Sequence, residues 1–428
     1  MKFNDLDWWV DYIQGLHLRS IDLSLDRVGK VYSLLYPRGI DSKIISLAGT
    51  NGKGSSAELL TSIFAEAGYT VGKYTSPHLC DFNERYQINR KQVDDKSLIE
   101  AFQRVENARN DVALTFFEYG TLIAIDLFAK AKLDVVIMEV GLGGRLDAVN
   151  ILDADIALIT NISIDHVSWL GNTVEKIALE KAGIARANRD VVVASESPPI
   201  NLLEHLTTLG AHVYTRDVDF FISNDEQSKT WNWSSEHLEI GHLPLPFSQS
   251  GVQLDNAAGV LMVVELMKSI MPVDAKAILD GLSKARLRGR CQLIENQPSI
   301  ILDVSHNEAS LERLAEFIRK NKNAAADSKC IAVCGMLKDK KIAESLKHIV
   351  GLVDSWCLAT IHHERGSSAE ELQNVLPKNA QVNCFDHVQN AYDGAYAIAN
   401  KCDCLVVFGS FHIVGDIIKH RREIAALV

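Results

Sequence analysis

The chain has 428 residues, 47% of them hydrophobic, with 44 Lys plus Arg against 55 Asp plus Glu, a formal net charge of −11. At about 150 residues per domain this length allows two or three domains with sizeable cores, and the acidic balance speaks against a nucleic-acid binder while permitting a local basic pocket. No apolar run approaches the roughly 20 residues that span a bilayer, and the start, MKFNDLDWWVDYIQ, lacks the apolar core of a signal peptide, so a cytoplasmic location away from membranes is expected.

The residues before Ile44 read as a helical prelude with one odd piece, LRSIDLSLDRVGKVYSLL. IISLAG then reads as the first core strand; its unbroken apolar character suits a parallel sheet covered on both faces. Gly49-Thr50-Asn51-Gly52-Lys53-Gly54-Ser55 follows. Gly49 and Gly52 can take positive φ and let backbone amides approach an anion. A helix expected over 55–67, with Gly68 as its C-terminal cap, points its unpaired amides at the loop. Lys53 then reaches the β and γ phosphates of a nucleotide. The usual phosphate loop has four residues between its glycines and a Ser or Thr directly after Lys. Here there are two, and Gly54 intervenes before Ser55, so magnesium needs another hydroxyl or carboxylate. The bland alternative is a glycine-rich turn with no ligand, which leaves Lys53 and Ser55 unexplained. A nicotinamide site would need an acid about 20 residues on for the ribose; AEAGYTVGKYT offers only Glu66, inside the helix.

TVGKYTSP is a short strand running into a loop, and Ser76 there is a candidate for the missing hydroxyl. LTFFEYGTLIAIDLFAKAKL is a long apolar helix. DVVIMEVG, ADIALITN, DVVVASE and AHVYTR are further strands, and apolar strands alternating with helices indicate a doubly wound α/β domain. Glu139 falls near the C-terminal end of a central strand, where such sheets bind ligands, and a carboxylate there suits magnesium; a solvated acid is the alternative. Asp165 and His166 follow the next strand at the same end of the sheet. An imidazole can coordinate a divalent ion, although a lone histidine is more often something blander. In NTVEKIALEKAGIAR, Asn172 and Glu175 are placed as a capping box. Lys181 lies near that helix's end, where a cation is also an ordinary preference.

FFISN, TWNWSS and HLEI, within 218–247, read as a small antiparallel addition, and DNAAGVLMVVELMKSI as a helix capped by Asp255 or Asn256. LRGRCQLIENQPS looks like a boundary. After it the βα alternation restarts with IILDVS, CIAVCGM, SWCLATI, QVNCFD and CDCLVVFG. The expected domains are therefore 1–292, an ATP-binding unit, and 293–428, a second Rossmann-like α/β unit. Asp303 at a strand end and His306 three residues on are candidates to touch nucleotide or activated substrate; surface capping is the alternative. The eight cysteines, Cys80, Cys291, Cys330, Cys334, Cys357, Cys384, Cys402 and Cys404, form no paired CxxC modules. They read as small buried hydrophobes, with Cys402 and Cys404 on one face of a strand.

IDLSLDRV, GTNGKGS, TSPHL, LTFFEYGT, MEVGLGGRLDAVN, IDHVSWLGNTVEKIALEKAGI, RLRGRCQ, LDVSHN, GMLKDK and GSFH occur in this order along nearly the whole chain. Together they resemble the Mur ligase superfamily, and within it the bifunctional dihydrofolate synthase/folylpolyglutamate synthase family. The resemblance implies that Thr50, Asn51, Gly52, Lys53, Gly54 and Ser55 cradle ATP. It implies that Ser76 and Glu139 ligate one Mg2+, that His166 helps hold a second, and that Lys181 is carbamylated and supports the metal site. Asn256 and Arg290 would contact ATP, with Asp303 and His306 completing the site from the C-terminal domain when the domains close and exclude water. Thr115, Phe116, Phe117 and Glu118, with Leu146, Asp147 and Ala148, match the pterin end: Phe116 or Phe117 would pack on the ring, Asp147 would read its polar edge, and IDLSLDRV would join the same pocket.

The family often has proline after HN, where this chain has Glu308, and glycine in IDLGL, where it has Ser24. These departures touch loop geometry rather than proposed ligands. Only about 45 residues precede the phosphate loop, too few for the separate domain that binds a uridine-linked substrate in the peptidoglycan-building Mur ligases. The reaction implied is an ATP-dependent amide ligation of L-glutamate to 7,8-dihydropteroate and to reduced folates through an acyl phosphate, by a monomer without nucleic-acid partners. The base for the glutamate amine is open between His306 and Asp303. Three alternatives stand beside this reading: folylpolyglutamate extension alone, a non-catalytic nucleotide-binding regulator, and a nucleic-acid-dependent ATPase.

Overall fold

Asp5 opens the first helix by accepting a hydrogen bond from the amide of Asp7. In the computed structural model, which describes residues 5–17, 22–225, 230–247, 254–321 and 328–427, this helix is α1 (Leu6–Gln14), followed by α2 (Asp26–Leu35). The IDLSLDRV stretch is described from Asp22 onward. The alternation then begins: β1 (Lys43–Ala48), α3 (Lys53–Glu66), β2 (Val71–Tyr74), β3 (Tyr86–Ile88), β4 (Lys91–Gln92), α4 (Asp95–Arg109), α5 (Phe116–Ala131), β5 (Val135–Glu139), β6 (Ile156–Ile159), α6 (Val167–Leu170), α7 (Val174–Ala182), β7 (Asp190–Val193), α8 (Ile200–Leu209) and β8 (His212–Thr215). A three-stranded antiparallel sheet, β9 (Phe220–Asp225), β10 (Thr230–Ser235) and β11 (Glu239–Pro244), precedes α9 (Leu254–Leu266) and α10 (Ala275–Lys284).

The large sheet runs in the order β4-β3-β2-β5-β1-β6-β7-β8. From β2 to β8 its neighbours are parallel; β3 and β4 add an antiparallel edge. Alternation of side chains assigns its two faces. Ile44, Ala48, Val136 and Met138 join the core with α1, α2, α4 and α5; Ile45, Leu47, Val135 and Ile137 join the core with α3, α9 and α10. With both faces covered, the strands read as continuous apolar runs. β1 lies between β5 and β6, so the order reverses there, and the loop after β1 opens beside the ends of both neighbours. That is where open α/β sheets bind ligands.

The second sheet has the order β12-β13-β17-β14-β15-β16. Its elements are β12 (Gln292–Asn296), β13 (Ser299–Asp303), α11 (Glu308–Asn321), β14 (Cys330–Cys334), α12 (Ile342–Leu346), β15 (Ser355–Ala359), α13 (Ala369–Gln373), β16 (Val382–Phe385), α14 (Val388–Ile398), β17 (Cys404–Phe408) and α15 (Phe411–Leu427). Only β12 is antiparallel, pairing with β13. Two compact units result, the described residues up to Arg286 forming the first and those from Leu287 onward the second. The division after Arg286 precedes the expected 293 because the β12–β13 hairpin carries its leading residues into the second unit. No helix among the described residues is long and apolar enough to cross a membrane.

Three local expectations are corrected. Thr173, not Asn172, caps α7, accepting from the amide of Lys176, so no Asn172–Glu175 capping box forms. Asp255 and Asn256 lie inside the first turn of α9 instead of capping it. Cys402 sits in the turn before β17, so it does not share a strand face with Cys404; Cys384 is exposed and Cys402 half-buried, while the other six cysteines are buried. Gly68 does end α3: at φ +89° it follows the C-cap Ala67, and the amides of Gly68 and Tyr69 return to the carbonyls of Ala65 and Phe64.

Candidate active site

The phosphate-loop backbone is fixed by the end of β6. The amide of Thr50 donates to the carbonyl of Asn161 at 2.8 Å, and the amide of Asn51 donates to Asn161 Oδ1 at 2.8 Å. Thr160 Oγ1 donates to the carbonyl of Asn51 at 2.7 Å. Thr50 Oγ1 donates to the carbonyl of Ser163 and accepts from its amide, both at 3.0 Å. Thr160, Asn161 and Ser163 thus shape the loop although they contact it from 109 or more positions away in sequence. Their only sequence mark was a polar run closing an apolar strand.

Gly49 has φ +151°, and a Cβ there would lie 1.7 Å from Thr160 Oγ1; Gly52 has φ +94°, and a Cβ there would lie 2.3 Å from Asn256 Nδ2. Both the backbone angle and the close approach require glycine. The second contact brings Asn256, on α9, against the loop. Lys53 opens α3 two residues ahead of the expected start, and its Nζ donates to the carbonyl of Gly49 at 3.0 Å. Lys73, also buried on this sheet, is ion-paired with Glu58 and so is spoken for as a structural charge.

One cavity is lined by Thr50 and Lys53, by the glycine-containing segment after Glu139, and by Asp165, His166 and Lys181. Glu139 is 5% exposed; its Oε2 accepts from the amide of Ser76 at 3.2 Å, and Gly54 leaves open space within 3.8 Å of the same oxygen. His166 takes a left-handed backbone conformation, φ +50°, with its amide donating to Asp165 Oδ1 at 2.7 Å. That turn presents Asp165 and His166 to the cavity together. Lys181, on the last turn of α7, is 4% exposed. Burial first, then the nearby Lys53 charge, pull its ammonium down to about 7, against the opposing pull of Asp165 and Asp147. The carboxylates and the imidazole fit a divalent cation that prefers oxygen with some nitrogen ligation.

The residues matched to the pterin end cluster beside this cavity. Thr115 caps α5, and Thr115 and Glu118 form a reciprocal capping box. Glu118 also pairs through Oε1 with Arg27 at 3.1 Å, and Arg27 pairs with Asp22 at 3.3 Å, tying the prelude to the start of α5. Phe116 and Phe117 are half-buried. The Phe117 ring fills the space where a Cβ on Gly141 would stand, 2.6 Å away, and lies 6.0 Å from Tyr74. Asp147 is 2% exposed and serves the backbone: Oδ2 accepts from Leu142 N and Oδ1 from Val149 N, capping the turn Ala148–Ile151. Burial raises its carboxyl to about 7 despite those bonds and Lys53. Leu146 is half-buried and Ala148 buried.

In the second unit, Asp303 closes β13 and is 3% exposed, accepting from the amides of Cys291 at 2.6 Å and Ser305 at 2.7 Å. His306 Nδ1 meets the carbonyl of Val304 at 2.8 Å; because a carbonyl only accepts, Nδ1 carries the proton and Nε2 holds the lone pair in the neutral ring. The Arg290 guanidinium lies 5.3 Å from the ring centre of Phe411.

The pattern of the Mur ligase middle domain matches residues 47–217, and that of the Mur ligase glutamate ligase domain matches 289–411. The dihydrofolate synthase/folylpolyglutamate synthase of Escherichia coli (strain K12) is 39% identical over 411 residues, 96% of this chain and 94% of that protein. The chain belongs to the dihydrofolate synthase/folylpolyglutamate synthase family of Mur ligases. The Haemophilus influenzae member is 37% identical over 95% of each chain. Two solved structures share its fold: E. coli FolC in complex with DHPP and ADP, at a TM-score of 0.91 and 39% identity over 97% of this chain and 98% of that one, and a bifunctional folylpolyglutamate synthase/dihydrofolate synthase with Mn, AMPPNP and L-glutamate bound, at 0.89 and 39% over the same shares. Membership makes the chain an ATP-dependent carboxylate–amine ligase that works with a divalent metal.

Proposed function

We propose that this ligase joins L-glutamate to 7,8-dihydropteroate and also extends reduced folates. The observation that carries the reading is the single cavity where Lys53, Asp165, His166, Lys181 and the segment after Glu139 meet. The substrate carboxylate attacks the γ-phosphorus, the bond to ADP breaks, and an acyl phosphate forms. The α-amine of glutamate then attacks the acyl carbon, inorganic phosphate leaves, and a base takes the amine's proton.

Lys53 holds the transferring phosphoryl group and offsets the repulsion between two anions. Glu139 and Ser76 would hold one Mg2+ and His166 a second, supplying charge neutralisation on the triphosphate. Thr50, Asn51, Gly52, Gly54 and Ser55 bound the phosphate seat, and Asn256 and Arg290 are assigned to ATP. With its pKa near 7, Lys181 presents a neutral amine, the form that adds carbon dioxide to become a carbamate. The base for the amine stays open between His306 and Asp303; both oxygens of Asp303 accept backbone amides. Thr115, Phe116, Phe117, Glu118, Leu146, Asp147 and Ala148 remain assigned to the pterin end, Asp147 acting there mainly by shaping the turn. The enzyme is taken to be a cytoplasmic monomer.

The test is glutamate incorporation by purified protein given ATP, Mg2+, L-glutamate and either dihydropteroate or a reduced folate. Product from both is expected. Product from the reduced folate alone reduces the enzyme to polyglutamate extension. Intact mass in bicarbonate buffer reads the Lys181 carbamate separately.

A further inference from the structure

Arg85 ends the 3-10 turn Phe82–Arg85 and is only 8% exposed. Buried charges are ordinarily paired, because an unpaired one is costly. Lys73 follows that rule with Glu58, and the buried Asp126 with Arg104. Arg85 does not: among the described residues no carboxylate lies within ion-pair distance of it. The adjacent Glu84 is engaged by the backbone amides of Leu79 and Cys80. Arg85 Nε donates to His78 Nδ1 at 2.8 Å, and the guanidinium lies 5.2 Å from the Phe116 ring centre and 5.7 Å from that of Phe82. The neutral Tyr74 hydroxyl is within side-chain hydrogen-bonding reach of Arg85, but no carboxylate among the described residues neutralises the cation. A buried cation without an acid partner is a place that can take an anion.

Its position says which anion. The amide of Thr75 donates to the Arg85 carbonyl at 3.0 Å, and the next amide in the chain, that of Ser76, donates to Glu139. The Arg85 backbone is therefore tied to the short loop that also meets the metal-candidate carboxylate. The Tyr74 hydroxyl feels the charges of both Arg85 and Asp147. Phe116 offers a half-buried aromatic surface directly beside the guanidinium. An aryl carboxylate satisfies ring and fork together. Free glutamate would bring an ammonium against the same cation, with no acid at hand to receive it.

We propose that Arg85 is the binding residue for the carboxylate of the acceptor substrate, gripping it through Nη1 and Nη2 with Phe116 against the attached aminobenzoate ring, which leaves Phe117 for the pterin. This rests on the amide-ligase reading above. The test measures binding of dihydropteroate and of its carboxamide without nucleotide or metal, and steady-state kinetics of Arg85→Gln and Arg85→Lys. Wild type is expected to prefer the carboxylate by about tenfold or more, the worth of a charge-assisted fork. Arg85→Gln should erase that preference and raise the acceptor KM by a similar factor, with the KM values for ATP and glutamate within about twofold of wild type. Arg85→Lys should restore part of it. Equal binding of acid and carboxamide by the wild-type protein overturns the proposal without recourse to any variant, and so does a rise confined to the glutamate KM. Failure to form product from either dihydropteroate or a reduced folate would defeat the ligase reading instead, because the binding comparison does not depend on turnover.

Discussion

Lys53 and Lys181 line one cavity with different neighbours and different burial. Lys53 holds the carbonyl of the loop it serves, which leaves its ammonium poised at the phosphate seat. Lys53→Ala is expected to lower kcat/KM by about 10^2 to 10^3, the loss typical of removing one charge stabiliser from a dry site; turnover near wild type would refute the clamp. Lys181 makes a prediction about stability. Its folded pKa is depressed, to about 7 from 10.5, so between those values the unfolded chain binds more protons and stability rises with pH. Below about pH 7 the buried ammonium is a full penalty. Lys181→Met should therefore stabilise the metal-free protein more at pH 6 than at pH 9, as read by urea unfolding in bicarbonate-free buffer. An equal effect at both values would contradict the shift.

Among elements, the strand–loop–helix from β1 to α3 depends most on exact backbone shape. Gly52→Ala forces a Cβ into Asn256 at a φ that side chains avoid, and is expected to cost about 1–3 kcal/mol and to weaken ATP binding. Adding Asn256→Ala should recover only part of the stability, because the clash is relieved while the backbone strain stays. Full recovery in the double variant would mean that φ is unimportant. At the start of α5, Glu118 is both half of the capping box and the buried partner of Arg27. Glu118→Gln keeps the cap's hydrogen-bonding shape and strands the guanidinium, so a loss of about 1–3 kcal/mol in chemical denaturation is expected. A neutral result would show that Arg27 needs only Asp22.

For the whole molecule, the two cores of the N-terminal unit and the core of the C-terminal unit do not involve the candidate metal ligands. Chelation with EDTA should therefore abolish ligation while leaving the far-UV circular dichroism and the unfolding midpoint nearly unchanged, with Mn2+ or Mg2+ restoring activity. Collapse of the fold on chelation would assign the metal a structural role. The loop after β1, Ser76 after β2, Glu139 as the last residue of β5 and His166 after β6 all lie at the C-terminal ends of these strands, so one sheet edge gathers groups from four separate stretches of chain.

The sequence by itself determined the α/β class, the phosphate loop and the family, because buried parallel strands must be apolar and a phosphate seat must combine glycine with lysine next to a helix start. It also placed Glu139, His166 and Lys181 at the right ends of their elements. Short β3 and β4 were too brief for any periodicity to show, and the caps at Thr173 and within α9 depended on a one-residue choice that tertiary packing made. Only the folded chain revealed that Thr160, Asn161 and Ser163 hold the loop, that Asp147 is committed to backbone amides, and that Arg85 is buried without an acid. The loop contacts join segments 109 or more positions apart, while the bonds of Asp147 close a local turn; linear spacing carries no record of which group arrives at hydrogen-bonding distance.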